Sequence, residues 1–129
     1  GNALRESEER YRLFFKTTLD SVFITAPDGR FIDFNDAMME HMGAKSREEV
    51  FATSAADLYA DPNERAVFLE KVRQAGFIRE YPLRFRRLDG SVLNSLVTIV
   101  PQKNSDGSIK SYIGTVRELA EKPRAAGHR

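Results

Sequence analysis

The sequence predicts one α+β domain with five antiparallel strands, and two observations support that prediction. Segments rich in β-branched and aromatic residues are separated by turn sequences, Pro-Asp-Gly at 27–29 and Asp-Gly at 89–90 and 106–107. Such turns join antiparallel neighbours. Residues 36–76, in contrast, have helical periodicity. The predicted order is therefore a hairpin, a block of helices and a three-stranded meander.

Length and composition limit the classes of function. The 129 residues fit one domain, and 41% hydrophobic with 30% charged residues is typical of a globular protein. A formal net charge of +1 gives no broad field for binding nucleic acid or an anionic membrane. The chain has no cysteine, which excludes disulfides and thiolate chemistry. Without a long apolar run or a recognisable signal peptide, we expect a cytoplasmic location and no membrane contact by this segment.

The first predicted element is an amphipathic helix over residues 6–19, with Ser7 as its N-cap. One face gathers large apolar side chains, and Leu13 lies nearly opposite them. A helix that is apolar on two sides usually lies between two surfaces. We expect one to be the sheet and the other to be the same patch of a second copy in a homodimer. The predicted interface residues are Leu4, Tyr11, Leu13, Phe14 and Phe15, with Leu19 completing the stripe.

The strand-like runs follow in two groups. They cover residues 22–25 and 31–34 in the hairpin and 81–86, 92–100 and 109–119 in the meander. The fourth run is apolar on both faces, so we expect a layer on each side of the sheet, with the N-terminal helix covering the back. Its two faces carry Leu93, Val97 and Ile99 on one side and Val92, Leu96 and Val100 on the other.

Three short helices between the strand groups are predicted from their start and stop signals. These signals are a glycine after the first helix, a capping box before the second, and an N-cap with proline before the third. They are Gly43 after 37–42, Ser46 with Glu49, and Asp61-Pro62 with Gly76 at the far end.

The order of these motifs identifies a family. The segments SEERYRLFF, APDG, FIDFNDA, ADLYADPNER, YPLRFRRLDGS and IGTVRELAEK together resemble a bacterial PAS domain of the sensor-kinase type, over about residues 6–122. The resemblance implies a PAS-like (profilin-like) five-stranded sheet in order 2-1-5-4-3, with short helices cupped over one face. Residues 1–5 and 123–129 would then be flanking, tag or linker residues.

The resemblance also implies a function. The domain would be the non-catalytic sensory input of a larger protein with a covalently linked output domain, such as a sensor histidine kinase or a cyclic-di-nucleotide enzyme. Asn35 matches the asparagine that ends the family's second strand. The predicted signal junction is Arg117, Glu118 and Leu119, which aligns with the family's closing Arg-Asp-Ile-Thr. In this sequence Glu118 replaces the aspartate, Ala120 replaces the threonine and Pro123 follows. The resemblance therefore leaves undecided how this junction couples to an output domain.

A ligand pocket in such a fold lies between the sheet and the cupped helices. It is mostly apolar, with a few polar groups that orient the ligand. The same residues also fit a core without a cavity, and the sequence does not separate the two. The predicted lining is Phe23, Phe34, Met38, Met42, Leu58, Val67, Phe68, Val72, Phe85, Leu96 and Ile113.

The cofactor is unknown, but several chromophores are disfavoured. Haem-binding members of the family place the ligating histidine on the long helix, and residues 62–75 contain none. Covalent flavin and other cysteine-linked chromophores require the absent cysteine. His41 and His128 are the only histidines, and we interpret His41 as a satisfied or partly exposed side chain. We therefore expect a small non-chromophoric ligand, with non-covalent FAD as an open alternative.

The other polar residues are interpreted structurally. Asp61 and Glu64 serve as helix caps, so we expect no metal site there even with Asp57 nearby. The basic strand is interpreted as a solvated face, with a carboxylate-bearing ligand as a minor alternative. It comprises Arg79, Arg84, Arg86 and Arg87.

Two other functions stay open beside the ligand sensor. One is a dimerisation and relay module without a ligand. The other is a small enzyme that uses Asp33 and His41 as an acid/base pair, which requires these side chains to meet in a cleft.

Overall fold

The computed structural model of the chain describes residues 2–119. A five-stranded antiparallel sheet has the order β2-β1-β5-β4-β3, which confirms the predicted fold class. The elements in chain order are α1 Asn2–Thr17, β1 Ser21–Thr25, β2 Phe31–Phe34, α2 Asp36–Met42, α3 Arg47–Phe51, a 3₁₀ helix Ala55–Leu58, α4 Asn63–Ala75, β3 Ile78–Arg86, β4 Val92–Lys103 and β5 Ile109–Glu118.

The centre of the sheet depends on a residue without a side chain. Gly114 in β5 is paired with Phe23 in β1 and with Ile99 in β4. A Cβ atom at position 114 would lie 2.5 Å from the Thr98 carbonyl oxygen and 2.6 Å from Cζ of Phe23. Glycine therefore allows the Phe23 ring to lie over β5 in the layer between the sheet and the helices.

The hydrophobic core fills this layer. Phe34, Val50, Phe68 and Val72 are each no more than 1% exposed, and they come from β2, α3 and α4. The inward positions of the meander strands contribute Leu83, Val97 and Val116. Burying a large apolar side chain contributes about 1.5–3 kcal/mol to the free energy of folding, so this cluster stabilises the packing of the short helices against the sheet.

The other face of the sheet is less covered than the two-sided pattern of β4 predicts. Val97 and Ile99 are buried, whereas Val92 and Val100 are 43% and 47% exposed. Because side chains alternate along a strand, these pairs lie on opposite faces. The second face therefore carries the apolar side chains that the sequence predicts, but some of them are exposed to solvent.

Helix α1 differs in part from the prediction. It begins at Asn2, so Ser7 lies inside the helix and is not its N-cap. Phe15 is buried, but Leu4 and Leu13 are more than 60% exposed. Leu19 follows the helix end and is 94% exposed. The side chains of Tyr11 and Phe14 lie outside the described part of the structure, and the seat of α1 on the far face of the sheet stays a prediction.

The predicted cap at Ser46 is present, whereas Asp61 is not the N-cap of α4, which is Pro62 without a side-chain cap hydrogen bond. Ser46 Oγ accepts from the Glu49 backbone N–H at 3.1 Å. The Glu49 carboxylate accepts from the Lys45 N–H at 2.6 Å, one residue upstream of the usual partner. Asp61 accepts from the Asn63 N–H at 3.0 Å, and α4 begins at Asn63 rather than at the proline. Within the described residues no group of three or more acidic or histidine side chains is placed to hold a metal ion.

Asn35 attaches α2 to the sheet. It is 2% exposed, and its Oδ1 accepts from the backbone N–H groups of Val22 and Met38, both at 3.0 Å. Its Nδ2 donates to the Asp20 carbonyl oxygen at 2.8 Å. One amide therefore caps α2 and also closes the start of β1.

A second backbone contact holds the other end of α2. Gly43 ends the helix with a φ of 72°, a conformation that suits glycine. The Met42 carbonyl oxygen accepts from the Leu88 N–H at 2.9 Å, directly after β3. The short helix is thus attached to β1 at its start and to the end of β3 at its finish. No helix in the part of the chain described is long and apolar enough to cross a bilayer.

Replacing Asn35 with alanine removes the cap and takes one hydrogen-bond partner from each of three backbone groups, two of them in buried hydrogen bonds. We expect Asn35→Ala to lower the free energy of unfolding by about 2–4 kcal/mol in urea titrations. Asn94→Ala, at an exposed site in β4, is the control and should change it by less than about 0.5 kcal/mol. Equal effects of the two substitutions would contradict this role of Asn35.

Candidate functional site

A partly open cavity of about 60 Å³ lies between the sheet and the helices α2 and α4. Residues of all five strands contribute to its floor, and the 3₁₀ helix lies at one side. The apolar side chains that line it are Phe23, Phe31, Met38, Met42, Ala55, Leu58, Phe68, Leu69, Phe85, Leu93, Val97, Ile99 and Val116.

Six of the eleven residues predicted to line a pocket border this cavity. Phe34 does not, because its ring packs 5.0 Å from that of Phe51, on the outer side of the core. Val72 is buried elsewhere in the core, and Val67 is 55% exposed on the outside of α4. The six that border the cavity are Phe23, Met38, Met42, Leu58, Phe68 and Phe85.

Leu96 and Ile113 were assigned to the wrong face of the sheet. Leu96 is paired with Arg117 and its neighbour Val97 with Val116. Val97 and Val116 both border the cavity, so Leu96 points the other way. The alternation of side chains along β4 shows which residues share a face of the sheet. It does not show which of the two faces the helices cover.

The charged groups at the cavity wall are all cationic. Arg65, Arg86 and Arg87 border it together with His41, and no aspartate or glutamate does so among the described residues. The Arg65 guanidinium donates to the Pro27 carbonyl oxygen at 3.1 Å, and that of Arg86 to the Gly90 carbonyl oxygen at 3.3 Å. The sequence predicts a solvated face for the arginines of this segment; Arg87, which follows β3, is instead partly buried.

His41 and Arg87 both border the cavity, and each has one buried side-chain nitrogen atom. Among the residues that the structure describes, neither His41 Nε2 nor Arg87 Nε has a hydrogen-bond partner. Burial lowers the pKa of the His41 imidazole below its usual value, against a raising effect of the Glu118 carboxylate; the nearby Arg87 charge lowers it further. The lowered pKa favours the neutral imidazole at pH 7. The side chain is partly exposed, one of the two states that the sequence suggested, and its Nε2 has no partner among the described residues.

Tyr59 adds a neutral hydroxyl group to the wall. Its ring lies 5.2 Å from that of Phe85, edge to face. Burial raises the pKa of Tyr59 to about 12, so the phenol stays protonated at physiological pH. Thr25 and Tyr112, which also carry hydroxyl groups, border the cavity as well.

A polar cleft of about 360 Å³ lies on the other side of His41 and Arg87. These two residues and Val116 border both the cavity and the cleft. The remaining walls come from the segment before β1, the start of β1, α2 and the end of β5. They are Leu19, Asp20, Ser21, Ala37, Glu40, Arg117 and Glu118.

The residues predicted as a signal junction end β5 at this cleft. Arg87 Nη2 lies 3.9 Å from Glu118 Oε1, and Arg117 Nη2 lies 3.2 Å from Glu80 Oε1. The Leu119 N–H donates to the Asn94 carbonyl oxygen at 2.8 Å. Glu118 is therefore in electrostatic contact with the cationic wall of the cavity.

The acid/base pair of Asp33 and His41 is not formed. Asp33 Oδ1 accepts from the Phe34 N–H at 2.8 Å and lies 3.7 Å from Arg47 Nη2. His41 faces the cavity and the cleft. The enzyme hypothesis required these two side chains to share a hydrogen bond, and the structure contradicts it.

The architecture defines a class: a single antiparallel sheet with helices cupped over a small cavity. The family model of the PAS domain matches residues 19–121. The chain belongs to the PAS domain family, whose members are generally sensory modules rather than catalysts.

Solved structures agree on the fold. A PAS domain from Colwellia psychrerythraea is 17% identical over 88% of this chain and 98% of its own, with a TM-score of 0.76. A domain of a sensory box sensor histidine kinase/response regulator from Geobacter sulfurreducens is 22% identical over 88% and 96%, with a TM-score of 0.71. A LOV protein from Rhodobacter sphaeroides is 15% identical over 91% and 69%, with a TM-score of 0.70. No curated protein matches the chain.

The lowered pKa of His41 predicts a pH dependence of stability. The unfolded chain binds a proton at His41 near pH 6.5, whereas the folded protein does so only at lower pH. Stability should therefore fall as the pH drops through about 6.5. His41→Gln should remove this part of the slope in urea titrations between pH 7.5 and 5.5, and His128→Gln should not. An unchanged slope in His41→Gln would contradict the buried neutral imidazole.

Proposed function

We propose that this PAS domain is the input domain of a larger regulatory protein, such as a sensor histidine kinase or a cyclic-di-nucleotide enzyme. It binds a small non-chromophoric ligand in the cavity and relays occupancy through the end of β5 and dimer contacts. The supporting observation is the wall of His41 and Arg87, which separates the apolar cavity from the cleft that contains Glu118.

The relay has a short physical path. Val116 borders the cavity and precedes Glu118 by two residues in the same strand. Arg87 borders the cavity and its guanidinium faces the Glu118 carboxylate at 3.9 Å. A ligand that draws the Arg87 charge inward weakens that attraction, and the end of β5, which leads to an output domain, gains freedom.

The size of the cavity restricts the ligand. Ligand pockets usually measure about 300–1,000 Å³, whereas this one measures about 60 Å³. The ligand is therefore small, or side chains move to admit it. Met38 and Met42 form part of the wall, and unbranched methionine side chains repack at low cost.

The small volume also supports a second candidate function. A PAS domain whose interior is filled by its own aromatic side chains would act as a ligand-free module for dimerisation and relay. Phe23 over Gly114 and the edge-to-face pair of Tyr59 and Phe85 fill much of the layer in this way.

A homodimer is part of the proposal. Exposed apolar side chains lie on α1, at Leu4 and Leu13, and on the outer sheet face, at Val92 and Val100. We propose that α1 of each copy covers this outer face and meets the same helix of the partner. Burial of four or five such side chains at about 1.5–3 kcal/mol each would offset the cost of association.

Native mass spectrometry of the freshly purified protein tests both parts at once. We expect a dimer that retains a small molecule whose mass is not that of haem or flavin. Ala55→Leu adds volume at the cavity wall and should lose that molecule; Ala52→Leu, at an exposed site, should keep it. A dimer without retained mass in all three proteins would favour the ligand-free module. A monomer would contradict the dimer.

A further inference from the structure

We infer that the cavity takes a short-chain monocarboxylate, with the carboxylate at His41 and Arg87 and the hydrocarbon end among the apolar residues. This inference rests on the proposed ligand-binding function and deepens it by naming the chemical class. Three properties of the site carry it: the sign of the charges, the buried donors and the volume.

The charges favour an anion. Arg65, Arg86 and Arg87 border the cavity, and none of its described lining residues carries a carboxylate. A cationic ligand would be buried beside like charges without a counter-ion, which opposes binding. A negative head group would complement this wall.

The hydrogen-bond donors that have no partner indicate where the carboxylate of the ligand binds. Arg65 and Arg86 already donate to backbone carbonyl oxygens. Among the described residues, Arg87 Nε and His41 Nε2 have no partner, although both atoms are buried. A neutral imidazole can present an N–H at Nε2, and the guanidinium Nε always carries a proton. The two oxygens of a carboxylate accept such bonds without supplying a donor in return.

Glu118 does not occupy this position. Its Oε1 lies 3.9 Å from Arg87 Nη2, beyond hydrogen-bonding distance and on a different nitrogen from the buried Nε. Arg87 has five N–H donors, so it can contact a ligand inside the cavity while it faces Glu118 in the cleft.

The volume limits the hydrocarbon end. A cavity of about 150 Å³ accommodates a benzene ring, and this one measures about 60 Å³. An aliphatic chain shorter than six carbons therefore fits with small movements of Met38 and Met42. Butyrate is a suitable probe, and butyramide has nearly the same shape without the charge.

The experiment is an NMR titration at fixed ionic strength with methyl-labelled methionine. The three methionines are built-in reporters, because Met38 and Met42 border the cavity and Met39 does not. We expect butyrate to shift the Met38 and Met42 methyl signals more than that of Met39. It should bind at least tenfold more tightly than butyramide, and butylammonium should not bind.

Two arginine variants locate the head group. Arg87→Met should weaken butyrate at least tenfold and leave butyramide unchanged. Arg84→Met removes the same charge from an exposed site in β3 and should leave both affinities unchanged. If Arg87→Met does not fold, Arg87→Lys keeps the charge without Nε and should still weaken butyrate.

The outcomes separate the two levels of the argument. Butyramide binding as tightly as butyrate, or equal effects of the Arg87 and Arg84 variants, would overturn the carboxylate assignment and leave the binding cavity intact. If neither probe moves Met38 or Met42, the assignment falls, and a protein without a retained molecule in the mass spectrum would remove the ligand-binding function as well.

Discussion

The position of helix α2 depends on one buried amide, and the candidate site depends on α2. Asn35 joins the Asp20 carbonyl, the Val22 N–H and the Met38 N–H through three hydrogen bonds. A helix of seven residues has little stability of its own, since isolated helices need about 12–15 residues to persist in water. The amide supplies the missing constraint, because it fixes both the start of the helix and its distance from β1.

The far end of α2 completes the arrangement. The contact between the Met42 carbonyl and the Leu88 N–H places the last turn of the helix beside the end of β3. His41 and Arg87 are neighbours in sequence to these two residues, so the same contact brings their side chains together. A polar wall between the cavity and the end of β5 is therefore a direct result of how a short helix is attached to the sheet. In the proposed function, this wall converts occupancy of the cavity into a change at the end of β5.

The sequence predicted the fold better than the site, for physical reasons. Turn residues and capping signals such as Gly43 and Ser46 are local, so they fixed most element boundaries to within a few residues. The predicted helix start at Ser7 was wrong, because the described helix already includes the five residues before it. The cavity lining depends on which face of β4 the helices cover. Both faces of β4 carry apolar residues in the sequence, so the pattern does not distinguish them. His41 and Arg87 are far apart in the chain. Their common position at the cavity follows from the attachment of α2 to the end of β3, which the sequence does not reveal.

A high-resolution crystal structure of the protein purified without added ligand would show whether His41 Nε2 and Arg87 Nε bind a ligand in the cavity. We expect electron density inside the cavity within about 3 Å of both nitrogens, from a ligand or from ordered water. A closed cavity, with each nitrogen bonded to another group of the protein, would contradict the claim.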